Sequence, residues 1–258
     1  MNYGLYLSAA GAIASAHRQD VLANNLANIN TVGFKPDAVD VRARLPERLE
    51  FPGNVLDAKH LLEQLGGGIY TNPTRVQLSQ GALTRTEGDL DLAIEGDGFF
   101  MIQDNSGPQP ALRLTRDGRF TLNSNSELVM AANGHRVLNA RSRPIRLDPG
   151  QTVNIQHNGR ILQNGRTVAT LGFAQPQDPA SLIKVGANLL RLDEDAELDA
   201  ARPDGAIRQG FTEASAVNAI TTLTSMMSAA KSAQSNLRMI QYHDNILGQA
   251  FTTFGRVA

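Results

Sequence analysis

The N-terminal end of the chain carries hydrophobic residues at helical spacing. Residues 3 to 30 contain no proline and many alanines. One side of the predicted helix consists of Leu7, Ala10, Ala14 and Val21. A second side consists of Leu5, Ala9, Ala12, Ala16, Ala23 and Ala27, with Tyr6 and Ile13 beside it. Because a surface helix typically has one apolar stripe, two stripes predict a helix that contacts two partners. A long helix buried inside one domain is the alternative.

The C-terminal end shows a heptad repeat. The segment from Asn218 to Phe254 has no proline and one glycine, Gly248. One row at seven-residue spacing is Leu223, Ala230, Leu237, Asp244 and Phe251, and a second row, offset by three, is Met226, Ala233, Ile240, Leu247 and Phe254. We predict that the two rows form a coiled-coil seam. Asp244 places a charge in this seam, which costs stability and fixes register or partner choice. An isolated helix frays, so we expect it to pair with the N-terminal helix and then with other copies.

The middle of the chain, from about Val76 to Gln209, changes to a strand pattern. Short apolar stretches alternate with Asp-Gly and Asn-Gly pairs, which favour the positive-φ turns that join antiparallel strands. The predicted strands are 76–78, 90–94, 99–102, 112–115, 119–122, 128–130, 137–138, 153–155, 160–162 and 168–171. We expect an antiparallel sheet, sandwich or barrel-like domain, with hairpins at 90–100 and 115–120.

Two further stretches lack periodicity. Residues 36 to 75 are punctuated by prolines, and a short helix is predicted over 58–65, before Gly66-Gly67-Gly68. Residues 193 to 205 are acidic and rich in turn residues. Their spacing does not fit an EF-hand, so we predict a solvated loop.

The predicted fold is α+β and mainly β: an antiparallel β domain inserted between long N- and C-terminal helices that pair as a coiled coil. The predicted boundaries are 1–35 for an N-terminal assembly helix and 36–75 for a linker or edge region. The β domain is assigned to 76–209, and a C-terminal coiled-coil assembly helix to 210–258.

The end of the N-terminal helix is rich in asparagine. Asn24, Asn25, Asn28 and Asn30 lie within seven residues. Asparagine amides compete with the helical backbone, so their number favours set partners. We predict that Gly33 is the left-handed residue of a Schellman motif, that Phe34 packs back on the last turn, and that Pro36 prevents the helix from resuming.

The segments Asn24–Asn28 and Asn30–Lys35 resemble the N-terminal signature of the flagellar basal-body rod and hook proteins, the axial family. The resemblance extends to Leu90–Phe100, to Thr115–Phe120, and to Gln209-Gly210 with residues 213–218. Ala216 departs from the family pattern, which has asparagine there. Residues 36–75 and 172–207 are not matched.

Composition and charge argue against several classes of function. A chain of 258 residues with a net charge near −1 is not basic enough for a dedicated nucleic-acid binder. Cysteine is absent, which removes disulfides, thiol catalysis and cysteine metal sites. No stretch is long and apolar enough for membrane insertion. Met1 to Tyr6 carry no positive charge before the apolar part, which is untypical of a cleaved signal peptide.

The sequence offers no catalytic or metal-binding motif. The five histidines show no metal-ligand spacing, and neither a nucleophile elbow nor a phosphate loop occurs. Asp89 and Asp91 alternate within a predicted strand, where solvent-facing carboxylates are the ordinary reading. The arginines Arg136, Arg141, Arg143 and Arg146 form a mild basic cluster suited to a subunit contact. We therefore predict a protein that is not an enzyme and has no cofactor.

The resemblance implies a structural subunit of the bacterial flagellar basal-body rod. Such a subunit would assemble through paired terminal helices into a torque-transmitting, periplasm-spanning tube. Its implied partners are further copies, other rod and hook proteins, and the flagellar type III export apparatus, with export that leaves no cleaved signal. The length favours a rod component over the longer hook subunit, and the absence of a long distal-rod insertion pattern favours the proximal rod.

Two other functions remain as alternatives: a hook-type axial subunit, and a secreted adhesin-like β module on a coiled-coil stalk. An adhesin would have no reason for the motif from Asn24 to Lys35. An envelope hydrolase would need a carboxylate or metal constellation that the sequence does not offer.

The residues that we expect to mediate subunit assembly lie in the asparagine-rich corner and in the C-terminal seam. They are Asn24, Asn25, Leu26, Asn28, Asn30, Gly33, Phe34, Leu223, Met226, Leu237, Ile240, Asp244, Leu247, Phe251 and Phe254. We expect Asn25→Leu to disturb assembly more than folding, because the corner amides are expected to face neighbouring helices.

Overall fold

The computed structural model describes residues 3–45, 66, 68–107, 109–193, 196–199 and 205–254. Two long helices lie at the ends of the described chain: α1 is Tyr3–Ala27 and α2 is Ala219–Phe254. Between them lie β1 Asp37–Ala38, β2 Val41–Arg44, β3 Gly68–Thr71, β4 Arg75–Val76, β5 Leu83–Arg85, β6 Leu92–Glu95, β7 Phe99–Asp104, β8 Ala111–Thr115, β9 Phe120–Leu122, β10 Leu128–Met130, β11 Arg136–Val137, β12 Val153–Ile155, β13 Arg160–Gln163, β14 Arg166–Thr170, β15 Phe173–Pro176, β16 Leu182–Gly186, β17 Leu189–Leu192, β18 Leu198–Asp199, β19 Ala206–Gln209 and β20 Phe211–Glu213.

The chain forms two compact units. The first combines residues 1–26, 37–74 and 218–258, and the second combines 27–36 with 75–217. The first unit contains both helices and the antiparallel strand pair β2–β3. This strand pair packs on α1, because a Cβ placed on Gly68 would lie 3.8 Å from Leu7 Cδ2 and 3.9 Å from Ala10 Cβ. Neither helix, as far as it is described, is long and apolar enough to cross a membrane.

The second unit is built around β7. Its sheet has the antiparallel order β16-β17-β8-β7-β11-β10-β9, and β15 also pairs with β7. Alternate residues of β7 enter two separate cores. Phe100 and Ile102 belong to one core, and Phe99 and Met101 belong to the other. A strand buried on both faces has a continuous apolar run rather than an alternating pattern, which explains the run at 99–102.

The first of these cores also receives side chains from smaller sheets. The sheet β12-β13-β14 contributes Ile155 and Ile161, and the pair β6–β19 contributes Ile94 and Ile207. The three-stranded sheet contains a predicted tight turn at Asn164-Gly165, where both residues have positive φ, 50° and 76°. This conformation is the one that an Asn-Gly hairpin turn requires.

The predicted fold class is confirmed, with two long helices around a mainly antiparallel β region. All the predicted strands occur, with ends shifted by up to two residues. Both predicted hairpins are wrong. β6 pairs with β19 rather than with β7, and β8 and β9 lie at separate places in the large sheet. The helix predicted at 58–65 lies outside the described residues.

Candidate assembly site

The two helices contact each other in an antiparallel arrangement. A Cβ placed on Gly4 would lie 2.8 Å from His243 Nε2, and one placed on Gly11 would lie 2.8 Å from Asn236 Nδ2. The numbering rises along α1 as it falls along α2, so the helices run in opposite directions. α2 begins as predicted, with the Asn218 side chain accepting hydrogen bonds from the N–H groups of Ile220 and Thr221 at 3.0 and 3.2 Å.

Two rows at seven-residue spacing are covered along α2. The inner row is Thr222, Ala229, Asn236, His243 and Ala250, and the shared row is Met226, Ala233, Ile240 and Leu247. The shared row agrees with one of the two predicted seam rows. The inner row was missed because its small and polar side chains give no hydrophobic periodicity.

The other predicted seam row does not face α1 within the subunit, and its role in subunit assembly stays a prediction. We call Leu223, Ala230, Leu237, Asp244 and Phe251 the outer row of α2. Leu237 is 53% exposed and Phe251 is 76% exposed, and Asp244 is also exposed. One residue corresponds to a rotation of about 100° around a helix, so this row points away from the inner row. Phe254 ends α2, and its side chain lies outside the described residues.

α1 also leaves large apolar side chains uncovered. Tyr6 is 61% exposed and Ile13 is 68% exposed. Together with the exposed Asp20 they form an outer row of α1 at seven-residue spacing. Exposed apolar residues at regular spacing are typical of an interaction surface.

Asn25 is held within the subunit. Its Nδ2 donates to the carbonyl oxygen of Asp37 at 2.8 Å, and the N–H of Asp37 donates to Asn25 Oδ1 at 2.9 Å. Asn25 is 4% exposed, so this amide fixes the chain reversal after α1. These contacts lie within the subunit, and the role of Asn25 in assembly stays a prediction.

The other residues of the asparagine-rich corner differ from one another in exposure. Asn24 and Asn30 are exposed, whereas Leu26 and Asn28 are half-buried. The Asn28 side chain accepts a hydrogen bond from the Thr31 hydroxyl at 3.1 Å. Asn24 and Asn30 therefore lie at the surface of the single subunit.

Gly33 does not close α1. The helix ends at Ala27, and Gly33, although left-handed with φ 67°, donates its N–H to the carbonyl oxygen of Glu213 at 2.7 Å. The predicted Schellman motif is therefore wrong, although the positive φ is right. A Cβ on Gly33 would overlap the backbone of Arg116. Only glycine fits this place, because two backbone segments approach closely there.

A short ladder continues from Gly33. The N–H of Ala216 donates to the carbonyl oxygen of Phe34 at 3.1 Å, and Asn188 Nδ2 donates to the carbonyl oxygen of Val32 at 2.7 Å. Phe34 is buried, with Lys184 Nζ 4.1 Å above the centre of its ring. Gly33 and Phe34 are thus anchored inside the second unit, and their assignment as subunit contacts stays a prediction.

Three buried charges meet beside this ladder. Glu213 binds Lys35 Nζ through Oε1 at 2.6 Å and Arg116 through Oε2 at 3.0 Å. All three side chains are at most 4% exposed. Lys35 also donates to the carbonyl oxygen of Ser79 at 2.8 Å, and Arg116 donates to that of Gly96 at 2.7 Å. We call Lys35, Arg116 and Glu213 the buried triad.

Burial has the largest effect on the pKa values of the two cations in the triad. It lowers the pKa of Lys35, while Glu213 acts in the opposite direction by favouring the ammonium ion. Burial lowers the pKa of Arg116 as well, again opposed by Glu213. Because two cations share one carboxylate, the carbonyl oxygens around them carry part of the compensation. Sequence reasoning missed this site, although each member belongs to a segment that resembles the axial family.

The positive charge of the predicted arginine cluster is partly neutralised by a buried carboxylate. Glu127 is buried and accepts hydrogen bonds from Arg136 at 2.9 Å and from Arg146 at 3.4 Å. Hydrogen bonds from Asn123 and from these two arginines hold the pKa of Glu127 below its ordinary value of 4.5. Arg141 and Arg143 remain exposed.

The described residues contain no group of three or more potential metal ligands. Asp89 and Asp91 do not alternate within a strand, because β6 begins at Leu92. Asp91 instead folds back, so that a Cβ on Gly88 would lie 2.6 Å from Asp91 Oδ2. Asp91 therefore has a local turn role, and its N–H donates to the carbonyl oxygen of Gly88 at 3.1 Å.

Three family models match successive parts of the chain. The model described as flagella basal body rod protein matches residues 5–35. The flagellar hook protein FlgE/F/G D1 domain matches 93–163, and the flagellar basal body rod FlgEFG protein C-terminal model matches 208–253. The matched segments contain Asn25, Arg116 and Glu213.

Several curated proteins are similar over their whole length. The flagellar basal-body rod protein FlgF of Caulobacter vibrioides is 32% identical over 261 residues, which cover 100% of both chains. FlgF of Rhizobium meliloti is also 32% identical, with 99% of each chain covered. The rod protein FlgG of Borreliella burgdorferi is 31% identical over 268 residues. These residues cover 97% of this chain and 98% of the FlgG chain.

Proposed function

The chain belongs to the flagellar basal-body rod protein family, and from this premise we propose that it is a structural subunit of the bacterial flagellar rod. It assembles with other axial flagellar proteins and with copies of itself through its terminal helices. One observation carries the proposal: α1 and α2 leave large apolar side chains in solvent, among them Ile13, Leu237 and Phe251. Burying such groups between subunits is the main favourable contribution to association.

The proposal extends to location and delivery. The assembled rod spans the periplasm and transmits torque, and the subunit reaches it through the flagellar type III export apparatus. The subunit acts by assembly rather than catalysis. The whole-chain similarity to rod proteins supports the rod over a hook subunit or an adhesin.

A deletion strain tests the proposal. Removing the gene from the source bacterium is expected to abolish swimming in soft agar, and a full-length copy is expected to restore it. A copy without residues 1–35 should be present in the cell but fail to restore swimming. Electron microscopy of isolated basal bodies should then show truncated rods. A deletion strain that swims like the parent would refute the rod function.

A further inference from the structure

The face that α2 presents to α1 is not its most apolar face. The inner row contains Asn236 and His243, whereas the outer row one residue further round contains Leu237 and Phe251. Apolar burial alone would favour rotating α2 so that the outer row met α1. The observed arrangement therefore needs a structural cause.

Two interlocking pairs supply this cause. Gly4 and Gly11 lie seven residues apart on α1, and His243 and Asn236 lie seven residues apart on α2. Each polar side chain comes within 2.8 Å of the position that a Cβ on its glycine would occupy. The two contacts share one antiparallel register, and polar residues at seam positions typically specify register at a cost in stability.

Asp244, in the outer row, opposes such a rotation of α2. Turning α2 by one residue would replace Asn236 by Leu237 at Gly11 and His243 by Asp244 at Gly4. A carboxylate would then enter the seam between the helices. Burying an unpaired charge is strongly unfavourable, so Asp244 disfavours the rotated pairing.

We propose that the pairs Gly4–His243 and Gly11–Asn236 act as a register key that reserves the outer row of α2 for the outer row of α1 in a second copy of this chain. The proposal rests on the rod function and deepens it, because it names the surface and the partner. Within one subunit the key fixes the inner seam. Between subunits the apolar side chains of the two outer rows form a second seam.

The chemistry of the two outer rows favours a second copy as the partner. On α1, Tyr6 and Ile13 are followed at the same spacing by Asp20. On α2, the exposed Lys231 and Arg238 lie beside the outer row, again seven residues apart. Apolar groups can therefore meet apolar groups while Asp20 meets a base. One chain carries both halves of this match.

Cysteine cross-linking tests the second seam, since the chain has no cysteine of its own. Ile13→Cys is combined with either Ala230→Cys or Leu237→Cys in the deletion strain. Isolated basal bodies are treated with a short bismaleimide and analysed by denaturing electrophoresis. We expect adducts of two or more subunits from at least one pair. The control combines Ile13→Cys with Ser235→Cys, which lies about 160° away from Leu237 around α2, and should give none.

The register key is tested by exchanging one pair. Gly11→Asn adds bulk against Asn236 and is expected to reduce swimming relative to the strain that carries the parent sequence. Asn236→Ala in the same chain vacates the opposing space and should restore swimming. Ala14→Cys with Ala233→Cys reports the register in the purified full-length subunit, because these positions are related by the same antiparallel offset. This disulfide should be lost in Gly11→Asn and regained in the exchanged variant.

Failure of this inference differs from failure of the rod function. Normal swimming with no intermolecular adduct from either Ile13 pair would overturn the second seam but leave the rod assignment intact. Normal swimming and an unchanged Ala14–Ala233 disulfide in Gly11→Asn would overturn the register key. A deletion strain that swims would instead remove the rod function on which both rest.

Discussion

Gly33 combines a positive φ of 67° with a backbone contact that leaves no room for a Cβ atom. Gly33→Ala is therefore expected to lower the free energy of unfolding through two effects. The left-handed conformation costs roughly 1–2 kcal/mol for a residue with a Cβ. Relief of the overlap with Arg116 requires a backbone shift on top of that. Urea unfolding of the purified subunit measures the sum.

Gly165 provides the matched control for Gly33. It also has a positive φ, 76°, but a Cβ there would meet nothing within 4 Å. Gly165→Ala should therefore cost only the conformational part. Equal losses in the two variants would mean that the contact with Arg116 does not constrain residue 33.

Glu213 compensates two buried cations, and its removal leaves both without their carboxylate. We expect Glu213→Gln to lower the free energy of unfolding by about 3–5 kcal/mol, as is typical when one partner of a buried ion pair is removed. The control is Glu95→Gln. Glu95 forms an exposed pair with Arg208 at 2.6 Å, and exposed pairs contribute roughly 0–1 kcal/mol. Similar losses at both positions, measured by urea unfolding, would contradict a special role for the triad.

Glu127 makes stability depend on pH in the acid range. Its pKa is lower in the folded chain than the ordinary value of 4.5, so the unfolded chain binds more protons as the pH falls. The stabilisation from Glu127 is complete above about the ordinary pKa and is lost as the pH falls through the folded pKa. The difference in unfolding free energy between the parent and Glu127→Gln should therefore shrink from pH 6 to pH 3. A constant difference over this range would contradict the prediction.

At the scale of elements, α2 shows which features of a helix hydrophobic periodicity can predict and which it cannot. Its bounds and its row from Met226 to Leu247 followed from the sequence, because large apolar residues repeat every seven positions. The sequence did not show whether the second row that faces α1 contains Leu237 or Asn236. Periodicity ranks leucine above asparagine, whereas the contact depends on a glycine more than 200 residues away, Gly11. The buried triad was hidden for the same reason, since its members come from three distant segments.

The β elements show a related limit. Strand positions such as Leu128–Met130 were predictable from local composition and turn residues. Pairing was not, because β6 finds its partner β19 more than 100 residues later. A turn sequence shows that the chain reverses but does not identify the strand that lies alongside. Gly118 illustrates this, because a Cβ there would overlap the carbonyl oxygen of Leu92, so its smallness serves a close approach and not a hairpin.

The two faces of α2 should separate assembly from folding. Leu237→Ser with Phe251→Ser changes only exposed side chains. The free energy of unfolding of the purified subunit should stay within about 0.5 kcal/mol, while swimming of the complemented deletion strain should fail. Ile240→Ser instead changes the covered shared row and should lower the helicity of the purified subunit by circular dichroism. Gln241→Ser, exposed on the same helix, should change neither property.

At the scale of the whole molecule, the two compact units differ in how much of each element is covered. β7 is buried on both faces, whereas α2 is covered along only two of its seven rows. Elements with few buried apolar contacts open more readily than core strands. In the isolated subunit, backbone amides of β6 and β7 should therefore exchange hydrogen slowly, and those of α1 and α2 much faster.

Assembly should reverse this difference for the helices alone. If the outer rows become buried between subunits, α1 and α2 gain protection in isolated basal bodies. The amides of β7 are already protected and should change little. Hydrogen exchange with mass spectrometry on the full-length subunit, free and assembled, measures both states. Helices as protected as β7 in the free subunit, with no gain on assembly, would mean that the exposed apolar rows do not hold the rod together, since burying them is what is expected to couple helix stability to assembly.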